Sequence, residues 1–561
     1  MGVTTKSAAE LLVECLAEQG TERIFTVPGE SFLAVLDALH ENTTIDTVTC
    51  RQEGGAAFMA CADGAMSAAS TLQPGIAFVT RGPGATNASI GVHVAHQDSQ
   101  PMILFVGDVA RGMRDREGFQ EVNFEAYFGP VCKWAARIDD PSRIPEYVAR
   151  AYSVAISGRP GPVVIALPED MLCDPVDPAL APRPRVTRPV QAACPDAMQA
   201  LFGLIADAAS PVAIIGGAGW NAKAREHFQQ FAESIGLPVA TAFRRQDAIS
   251  PSSSVYAGNL GYGPNPKLVQ RVKDADLVVA IGARLGEATT DGYTVPTLDH
   301  PGQLLVHIHP DPDEIGRVYK TDLGLACSVD EFAETAALWE DHSIIPFDAG
   351  AKAHREWQEW ATAKPSDIPP ALDMAACVTA MREALPSDTI ICNGAGNFSG
   401  WWHRYWRYDG HPTQLAPTAG AMGYGVPASV AAALRYPDRT VVAVAGDGDF
   451  LMNGQELATA AQYNANLLVL VVDNGAYGTI RMHQEREYPE RISGTQLSNP
   501  DFAALGAAFG AWSATATTTE EFKTALAEAQ ERVGLRLIQM KIDIEQLAAS
   551  GATISGLRAN A

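Results

Sequence analysis

The stretch VVAVAGDGDFLMNGQELATAAQYNANLLVLVVDNGAYG, residues 441–478, decides the fold. It holds two continuous apolar runs, residues 441–445 and 467–472, separated by a helical pattern. Runs of this kind are typical of parallel strands buried on both faces. Asp447 follows the first run within a glycine turn, and Asn474 follows the second. The stretch therefore predicts two consecutive parallel strands, with polar side chains at their carboxyl ends.

The rest of the chain repeats this alternation of apolar runs and helical patterns. Further runs of strand length lie at residues 24–27, 45–50, 76–80, 102–106, 163–167, 212–216, 237–241, 277–281, 304–308, 389–392 and 537–541. This order is typical of α/β domains with doubly wound parallel sheets, whose sites lie at the carboxyl ends of the strands. A proline-rich stretch at residues 174–190 predicts an extended linker. A second one at residues 364–370 predicts another domain boundary.

We therefore predict three α/β domains and a short tail. The expected bounds are residues 1–175 for the N-terminal domain, 190–345 for the central domain, 365–545 for the C-terminal domain and 546–561 for the tail.

The composition excludes several classes of protein. The chain has 561 residues, 47% hydrophobic and 19% charged, which is typical of a globular protein. Its net charge of −24 argues against nucleic-acid binding and against a membrane-surface helix. The nine dispersed cysteines and the absence of an apolar signal core at the N-terminus predict reduced thiols in a cytoplasmic enzyme.

The glycine turn around Asp447 has the chemistry of a phosphate and metal site. Mg²⁺ prefers oxygen ligands, which Asp447 and Asn474 supply from neighbouring strand ends. Glycines let backbone N–H groups approach phosphates, and a following helix N-terminus favours their charge. We expect that helix from about Asn453, with Glu456 completing a capping box. The alternative is a strand–helix turn that binds no ligand, in which the glycines are needed only for the backbone geometry.

These residues resemble the thiamine-diphosphate enzymes, and most closely the acetolactate synthase branch, over residues 5–545. The resemblance implies that Mg²⁺ is held by Asp447, Asn474 and the backbone carbonyl of Ala476. It also implies that thiamine diphosphate contacts Pro28, Asn397, Phe398, Ser399, Ala421, Met422, Gly446, Gly448, Asp449, Tyr477, Gly478 and Ile480. The resemblance makes Met422 the apolar wedge under the cofactor, and core packing is the alternative.

The segment RQEGGAAFMA, residues 51–60, resembles the family's activating-acid motif. The resemblance makes Glu53 both a catalytic residue and a ligand of the cofactor's pyrimidine ring. The alternative is a helix-terminal acid stabilised by the macrodipole. In the family, this acid faces the metal domain of another subunit. The resemblance therefore implies a homodimer with shared active sites, or a homotetramer.

Four further residues are candidates for selecting the reaction. Gln120 lies in a Phe-Gln-Glu segment similar to that of acetolactate synthases, where it reaches the reactive centre from the neighbouring subunit. Glu30 and His483 replace a glycine and a tryptophan of those enzymes. Glu30 is a second proton carrier or a capping acid, and His483 exchanges protons in the pocket or fills space. Arg81 replaces a serine, and either binds an anionic substrate or pairs with a carboxylate.

The central segment departs from the family at a cofactor position. Ala288 stands where acetolactate synthases carry an arginine that serves flavin and substrate, which weakens the case for FAD. The glycines at residues 216–219 follow a predicted strand without a complete dinucleotide pattern. FAD or ADP in the central domain remains open, with a packing turn as the favoured interpretation.

The resemblance predicts cleavage and formation of C–C bonds on a small 2-oxo acid, with thiamine diphosphate and Mg²⁺. The expected reaction is decarboxylation to an enamine, followed by protonation or by ligation to an aldehyde or a second oxo acid. Three alternatives stay open: an acyloin lyase or aldehyde ligase similar to benzaldehyde lyase, an acyl-CoA decarboxylase of the oxalyl-CoA type, and a non-catalytic assembly subunit.

Overall fold

The computed structural model describes residues 6–298, 302–339, 347–364 and 370–559, which form two compact units. Of these described residues, the first unit comprises 6–189, 427–435 and 453–465, and the second comprises the others. The boundaries predicted at residues 345 and 365, and the end of the tail, lie outside the described residues. The domain bounds therefore stay a prediction.

The first unit is built on a six-stranded parallel sheet of order β3-β2-β4-β5-β7-β6, with a small antiparallel pair, β1 and β8, beside it. Its strands are β1 Lys6–Ser7, β2 Arg23–Thr26, β3 Asp46–Thr49, β4 Gly75–Thr80, β5 Met102–Asp108, β6 Trp134–Arg137, β7 Pro162–Pro168 and β8 Pro175–Val176. Its helices are α1 Ala8–Glu18, α2 Leu33–Glu41, α3 Glu53–Ser67, α4 Arg81–Asp98, α5 Phe124–Phe128, α6 Ile144–Ile156 and α7 Glu169–Leu172.

The second unit contains two more parallel sheets, and the first of them lies in the central part of the chain. Its order is β11-β10-β9-β12-β13-β14, and an apolar core covers each face. The strands are β9 Pro211–Ile215, β10 Val239–Thr241, β11 Tyr256–Asn259, β12 Leu277–Ile281, β13 Leu304–His309 and β14 Leu323–Ala326. The helices are α8 Pro195–Asp207, α9 Ala222–Ile235, α10 Pro266–Asp274, α11 Val329–Ala337 and α12 Ala349–Trp360.

The third sheet carries the glycine turn and has the order β16-β15-β17-β18-β20-β19. Its strands are β15 Ile390–Asn393, β16 Gln414–Leu415, β17 Val441–Gly446, β18 Leu467–Asp473, β19 Trp512–Ala516 and β20 Leu535–Lys541. The helices of this region in the second unit are α13 Met374–Ala384, α14 Ser399–Tyr405, α16 Asp447–Asn453, α18 Gly478–Glu487, α19 Phe502–Ala508, α20 Thr519–Gln530 and α21 Ile554–Ala559. Most of α15 Gly425–Arg435 and all of α17 Leu457–Gln462 belong to the first unit.

The predicted fold class is confirmed: all three sheets are parallel, and helices alternate with their strands. Every predicted apolar run forms a strand. The strands of these three sheets that the sequence did not predict, β6, β11, β14, β16 and β19, all lie at sheet edges, and the small pair of β1 and β8 was not predicted either. An edge strand is covered on fewer sides and needs no continuous apolar run, so its sequence signal is weaker.

The structure describes both the proline-rich stretch after β8 and all of the cysteines. After β8 the chain has no helix or strand until α8 begins, and the Gln19 side chain donates to the carbonyls of Arg183 and Pro184. All nine cysteines are free thiols, and seven of them are buried. Among the described residues, no helix is both long enough and apolar enough to cross a membrane. The cytoplasmic location stays a prediction.

Candidate functional site

Asp447 and Asn474 lie over one cavity at the carboxyl ends of two hydrogen-bonded parallel strands. Asp447 is the first residue of α16, directly after β17, and Asn474 follows β18. Both line a cavity of about 230 Å³, and Ala476 lines it too. The Asn474 Oδ1 atom accepts the backbone N–H of Ala476 at 3.0 Å, which fixes the loop. The three predicted metal ligands are therefore brought together.

The Asp447 carboxylate is buried and held by hydrogen bonds. It accepts the Gly448 N–H at 2.9 Å and the Asn499 Nδ2 at 2.7 Å. Burial raises the pKa of the Asp447 carboxyl, and the neighbouring Asp473 acts in the same direction against these hydrogen bonds. A bound cation would favour the charged carboxylate that a metal ligand requires.

Asn499 is a supporting residue that the sequence reasoning missed. Its Nδ2 also donates to Asp473 Oδ1 at 2.8 Å, so one amide joins the carboxylates at the ends of β17 and β18. Groups of this kind orient metal ligands. Asn499 precedes a proline in a loop without a recognisable motif, so nothing in the sequence pointed to it.

Most of the predicted cofactor contacts line the same cavity. These are Asn397, Phe398, Met422, Gly446, Gly448, Asp449, Tyr477, Gly478 and Ile480. Ser399 and Ala421 are not among the lining residues. The Ser399 Oγ donates instead to the Gly396 carbonyl at 2.9 Å. The cavity also has walls that the sequence did not predict, formed by Trp401, Ile542, Gln546 and Leu547.

Asp449 holds together two loops of the cavity wall. Its Oδ1 accepts the backbone N–H groups of Ala395 at 3.1 Å and Gly423 at 2.8 Å. Its Oδ2 is buried and has no hydrogen-bond partner among the described residues. Burial raises the pKa of Asp449 to about 7, although both amides and the more distant Arg244 lower it. Asp449, on α16, therefore fixes the positions of the loops that carry Asn397 and Met422.

The glycines of the turn are required by close approach. A Cβ on Gly448 would lie 2.4 Å from a ring carbon of Tyr477, and one on Gly446 would lie 2.8 Å from the ring of Phe398. No side chain fits at either position without a shift of these rings. Both glycines also line the cavity, beside Asp447.

The expected capping box at Asn453 is wrong. The helix begins at Asp447, and Asn453 ends it and makes no side-chain cap. A short 3₁₀ turn, Gly454–Glu456, then leads into α17. The Glu456 carboxylate accepts instead the backbone N–H groups of Arg51 and Gln52 in the first unit. Long-range contact thus overrides the local pattern.

In the first unit, Glu53 is the first residue of α3 and lies at the carboxyl edge of the sheet. It is half-buried, and its Oε2 accepts the Asn87 Nδ2 at 3.0 Å. The Gln52 side chain caps the helix by accepting the Gly55 N–H at 3.0 Å. Asn87 is a supporting residue that the sequence did not reveal. Its contact fixes one carboxylate oxygen.

Other candidates lie at the same edge. Pro28 and Glu30 are exposed on the loop after β2, and a Cβ on Gly29 would lie 2.2 Å from Thr80 at the end of β4. Gln120 has a φ of 65°, in the left-handed region, and its carbonyl accepts the Gly82 N–H at 2.9 Å. The three loops that carry Pro28, Glu53 and Gln120 therefore adjoin the ends of parallel strands of one sheet.

Two candidates have simpler surroundings. Arg81 forms a 2.5 Å ion pair with Glu169, which accords with carboxylate pairing rather than with a free anion site. His483 is exposed on α18 and does not line the cavity. Neither observation assigns a catalytic task.

The glycines of the central part serve packing. A Cβ on Gly217 would lie 1.9 Å from the Gly282 carbonyl oxygen, and one on Gly216 would lie 2.6 Å from Ala242. A separate cavity of about 180 Å³ is lined by polar groups that include Arg284, His307 and Arg317. Ala288 is half-buried and does not line that cavity.

Family models match at least part of each of the three sheets. Residues 6–127 match the family model described as "Thiamine pyrophosphate enzyme, N-terminal TPP binding domain", and residues 198–335 match its "central domain". Residues 394–540 match the "C-terminal TPP binding domain".

Curated relatives align over nearly the whole chain. The chain is 30% identical over 544 residues to the acetolactate synthase large subunit of Corynebacterium glutamicum, covering 94% of this chain and 85% of that protein. It is 31% identical over 531 residues to the acetolactate synthase large subunit of Parasynechococcus marenigrum, covering 90% and 82%. It is 28% identical to the acetolactate synthase isozyme 3 large subunit of Escherichia coli, covering 96% and 95%.

The cavity fits the diphosphate end of thiamine diphosphate and one small cation. It offers a buried carboxylate, an amide oxygen and two lining glycines at a helix N-terminus. Among the described residues, no group of three or more His, Cys, Asp or Glu side chains could hold a metal. The donor set at Asp447 suits Mg²⁺, which takes one or two protein carboxylates and fills its shell with water and phosphate.

Proposed function

Because this chain belongs to the thiamine pyrophosphate enzyme family, we propose that it cleaves and forms C–C bonds on a small 2-oxo acid, in the manner of acetolactate synthases. The observation that carries the proposal is the single cavity shared by Asp447, Asn474 and Ala476 at the ends of β17 and β18. The alignment with acetolactate synthase large subunits supports the substrate class.

The bound thiamine diphosphate supplies an electron sink for the negative charge left when a 2-oxo acid loses CO₂. Asp447, Asn474 and the carbonyl of Ala476 would hold Mg²⁺. The N-terminus of α16 and the backbone beside Gly446 and Gly448 would bind the diphosphate. The half-buried cavity walls would limit the access of water to the reacting centre.

Glu53 would hold a proton at a nitrogen of the cofactor's pyrimidine ring. This task requires a carboxyl group in one fixed orientation. The Asn87 amide at 3.0 Å supports it by fixing one oxygen, which leaves the other for the ring nitrogen. Among the residues proposed to handle the second half of the reaction, Gln120 and Glu30 have the stronger support, because they lie at the same sheet edge. His483 is supported only by its position in the sequence.

The chain would act as a homodimer with shared active sites, or as a dimer of such dimers. Glu53 of one protomer and Asp447 of the other would serve one cofactor. The relatives are named as large subunits, so a smaller companion chain is a further outcome for an oligomer measurement.

A product assay tests the function. The protein with thiamine diphosphate and Mg²⁺ is incubated with 2-oxo acids, aldehydes, acyloins and acyl-CoA thioesters, while CO₂ and carbonyl products are followed together. We expect CO₂ release from a small 2-oxo acid, with a hydroxy-ketone or aldehyde product. Acyloin cleavage without CO₂ would establish a lyase instead, and CO₂ from only a thioester would establish an acyl-CoA decarboxylase. Cofactor binding without any turnover would establish a non-catalytic subunit.

We also propose that the enzyme works without FAD. The support is that packing accounts for the glycines at residues 216 and 217, and that Ala288 replaces the flavin-serving arginine. The purified protein should lack the yellow absorbance of flavin. Stoichiometric flavin in the protein would contradict this, and bound ADP would support the acyl-CoA alternative.

A further inference from the structure

Residues 453–465, here called the clamp segment, belong to a different unit from the motif that precedes them. Asp447 is part of the second unit, whereas the clamp segment is part of the first. The segment contains the 3₁₀ turn Gly454–Glu456 and α17. The chain thus passes directly from the diphosphate motif to the unit that carries Glu53.

Glu456 is a fully buried carboxylate at the contact between the clamp segment and the loop before Glu53. Its Oε1 accepts the backbone N–H groups of Arg51 and Gln52, each at 3.0 Å. Its Oε2 accepts the Thr459 hydroxyl at 2.6 Å. A buried acid is costly unless such donors satisfy it, and here two of the donors are backbone amides 404 and 405 residues away.

Other contacts of the clamp segment converge on the same short stretch. The Tyr463 hydroxyl accepts the Thr49 N–H at 2.8 Å and donates to the Thr47 carbonyl at 3.0 Å. The Gln462 Oε1 accepts the Arg51 guanidinium at 2.6 Å. Because β3 is an edge strand that pairs with β2 alone, these contacts supply the partners that a second neighbouring strand would give.

The position of the Glu53 carboxylate depends on where α3 begins. Cys50, Arg51 and Gln52 join β3 to α3, and Glu53 is the first residue of that helix. A Cβ on Gly55 would lie 2.6 Å from Glu456 Oε1, so the first turn of α3 packs directly against this carboxylate. A shift of Glu456 would therefore move the turn that carries Glu53.

We propose that Glu456 is a positioning residue, which sets the place of the Glu53 carboxylate by holding the backbone amides of Arg51 and Gln52. The inference rests on the proposed role of Glu53 and deepens it. Misplacing an acid by about 1 Å costs on the order of 100-fold in rate, so the effect on turnover should be large although Glu456 does not touch the reactants.

Four variants test the role of Glu456. Glu456→Ala removes both acceptors. Glu456→Gln keeps a side-chain oxygen that can accept the N–H groups of Arg51 and Gln52, and its amide group can donate to Thr459. Glu456→Asp keeps the charge, but its side chain is shorter by one methylene group, so the carboxylate lies farther from Arg51 and Gln52. Asp63→Asn is the matched control. Asp63 is a buried acid on α3, the helix that begins with Glu53, and its carboxylate pairs with Arg435 rather than with the loop before Glu53.

The first readout needs no cofactor. Amide hydrogen exchange of the peptide covering residues 49–55 should rise in Glu456→Ala and Glu456→Asp, and remain near wild type in Glu456→Gln and Asp63→Asn. Unchanged exchange in both Glu456→Ala and Glu456→Asp would overturn the proposal. If Glu456→Ala does not fold, Glu456→Gln and Glu456→Asp decide the question by themselves.

The second readout is a double-mutant cycle with Glu53→Gln. We expect Glu456→Ala to lower turnover by about 10- to 100-fold, and to have less than about a twofold effect when Glu53→Gln is already present. Equal losses in both backgrounds would overturn the positioning role, as would wild-type turnover in Glu456→Ala. If Glu53→Gln itself leaves turnover unchanged, the proposed function of Glu53 fails, while the exchange result still reports on the contact.

Discussion

The cavity around Asp447 and the sheet edge around Glu53 differ in the origin of their supporting residues. Asp447 is oriented by Asn499, which is 52 residues away in the same unit. The loop before Glu53 is held by Glu456, which is 405 residues from Arg51. The first region is assembled largely from two adjacent strand ends, whereas the second depends on a remote segment. A site assembled from adjacent strand ends can be recognised as a sequence motif. In a site that is held by a distant segment, only the acid itself can be recognised in the sequence.

Asp447→Ala should cause the largest loss, because it removes the charged ligand of the locally assembled site. We expect no Mg²⁺-dependent binding of thiamine diphosphate in isothermal titration calorimetry, and no turnover. Asp501→Asn is the control: Asp501 caps α19 and does not line the cavity. If Asp447→Ala binds the cofactor as tightly as wild type does, Asp447 is not the metal ligand.

Glu53→Gln should affect turnover and cofactor binding differently, which distinguishes the sheet edge around Glu53 from the cavity around Asp447. The amide can still occupy the place of the carboxyl group, so cofactor binding should change little, whereas turnover should fall by about 100-fold or more because the proton carrier is lost. Glu41→Gln, an exposed acid at the end of α2, should leave both unchanged. Initial rates measure the turnover, and isothermal titration calorimetry on the same preparations measures the cofactor binding. Wild-type turnover in Glu53→Gln would remove the acid from the mechanism.

Asn499→Ala should weaken the metal site without abolishing it. Loss of the amide leaves Asp447 and Asp473 without their shared donor, so the affinity for Mg²⁺ should fall by about 10- to 100-fold. Activity titrated against Mg²⁺ measures this. Asn466→Ala is a matched control at the opposite end of β18, where its amide oxygen accepts from Arg536. Equal losses in both variants would mean that Asn499 acts only on stability.

The smallest effect should come from acid acting on the tail. Hydrogen bonds from Arg558, aided by Arg481, lower the pKa of Glu485 to about 2. A lowered pKa stabilises the folded tail above the ordinary value of 4.5, and this stabilisation is lost as pH falls from there toward about 2. The protection factors of the α21 amides, which correct for the pH dependence of intrinsic exchange, should therefore fall over that window.

Glu485→Gln should expose α21 to exchange already at neutral pH and remove the acid dependence. Peptides from β18 report whether the whole unit unfolds, and Arg486→Ala, on the exposed side of α18, is the control. An unchanged acid dependence in Glu485→Gln would assign the effect to other groups.

The sequence predicted the interior of each sheet and most of the cavity because both leave local patterns. Continuous apolar runs identified β17 and β18, and the glycine turn between them identified Asp447. The edge strands were missed because partial exposure removes the need for such runs. In β19, for example, only the last residue is buried.

The supporting contacts could not be predicted, since each depends on folding at a distance. Asn499 and Asn87 have polar side chains of the kind found in many loops, and nothing in their neighbourhoods names a partner. Glu456 was misassigned for the same reason: its spacing from Asn453 satisfies a local rule, but the folded chain brings it to the amides of Arg51 and Gln52.

The central claim is that one protomer supplies Asp447 and its partner supplies Glu53 to the same cofactor. Purified mixed dimers of Asp447→Ala and Glu53→Gln, selected with two different affinity tags, test it by their rate of CO₂ release from the preferred 2-oxo acid. Each mixed dimer would have one fully intact site, so the rate should be about half that of wild type. A rate no higher than that of either parent variant would contradict the shared site.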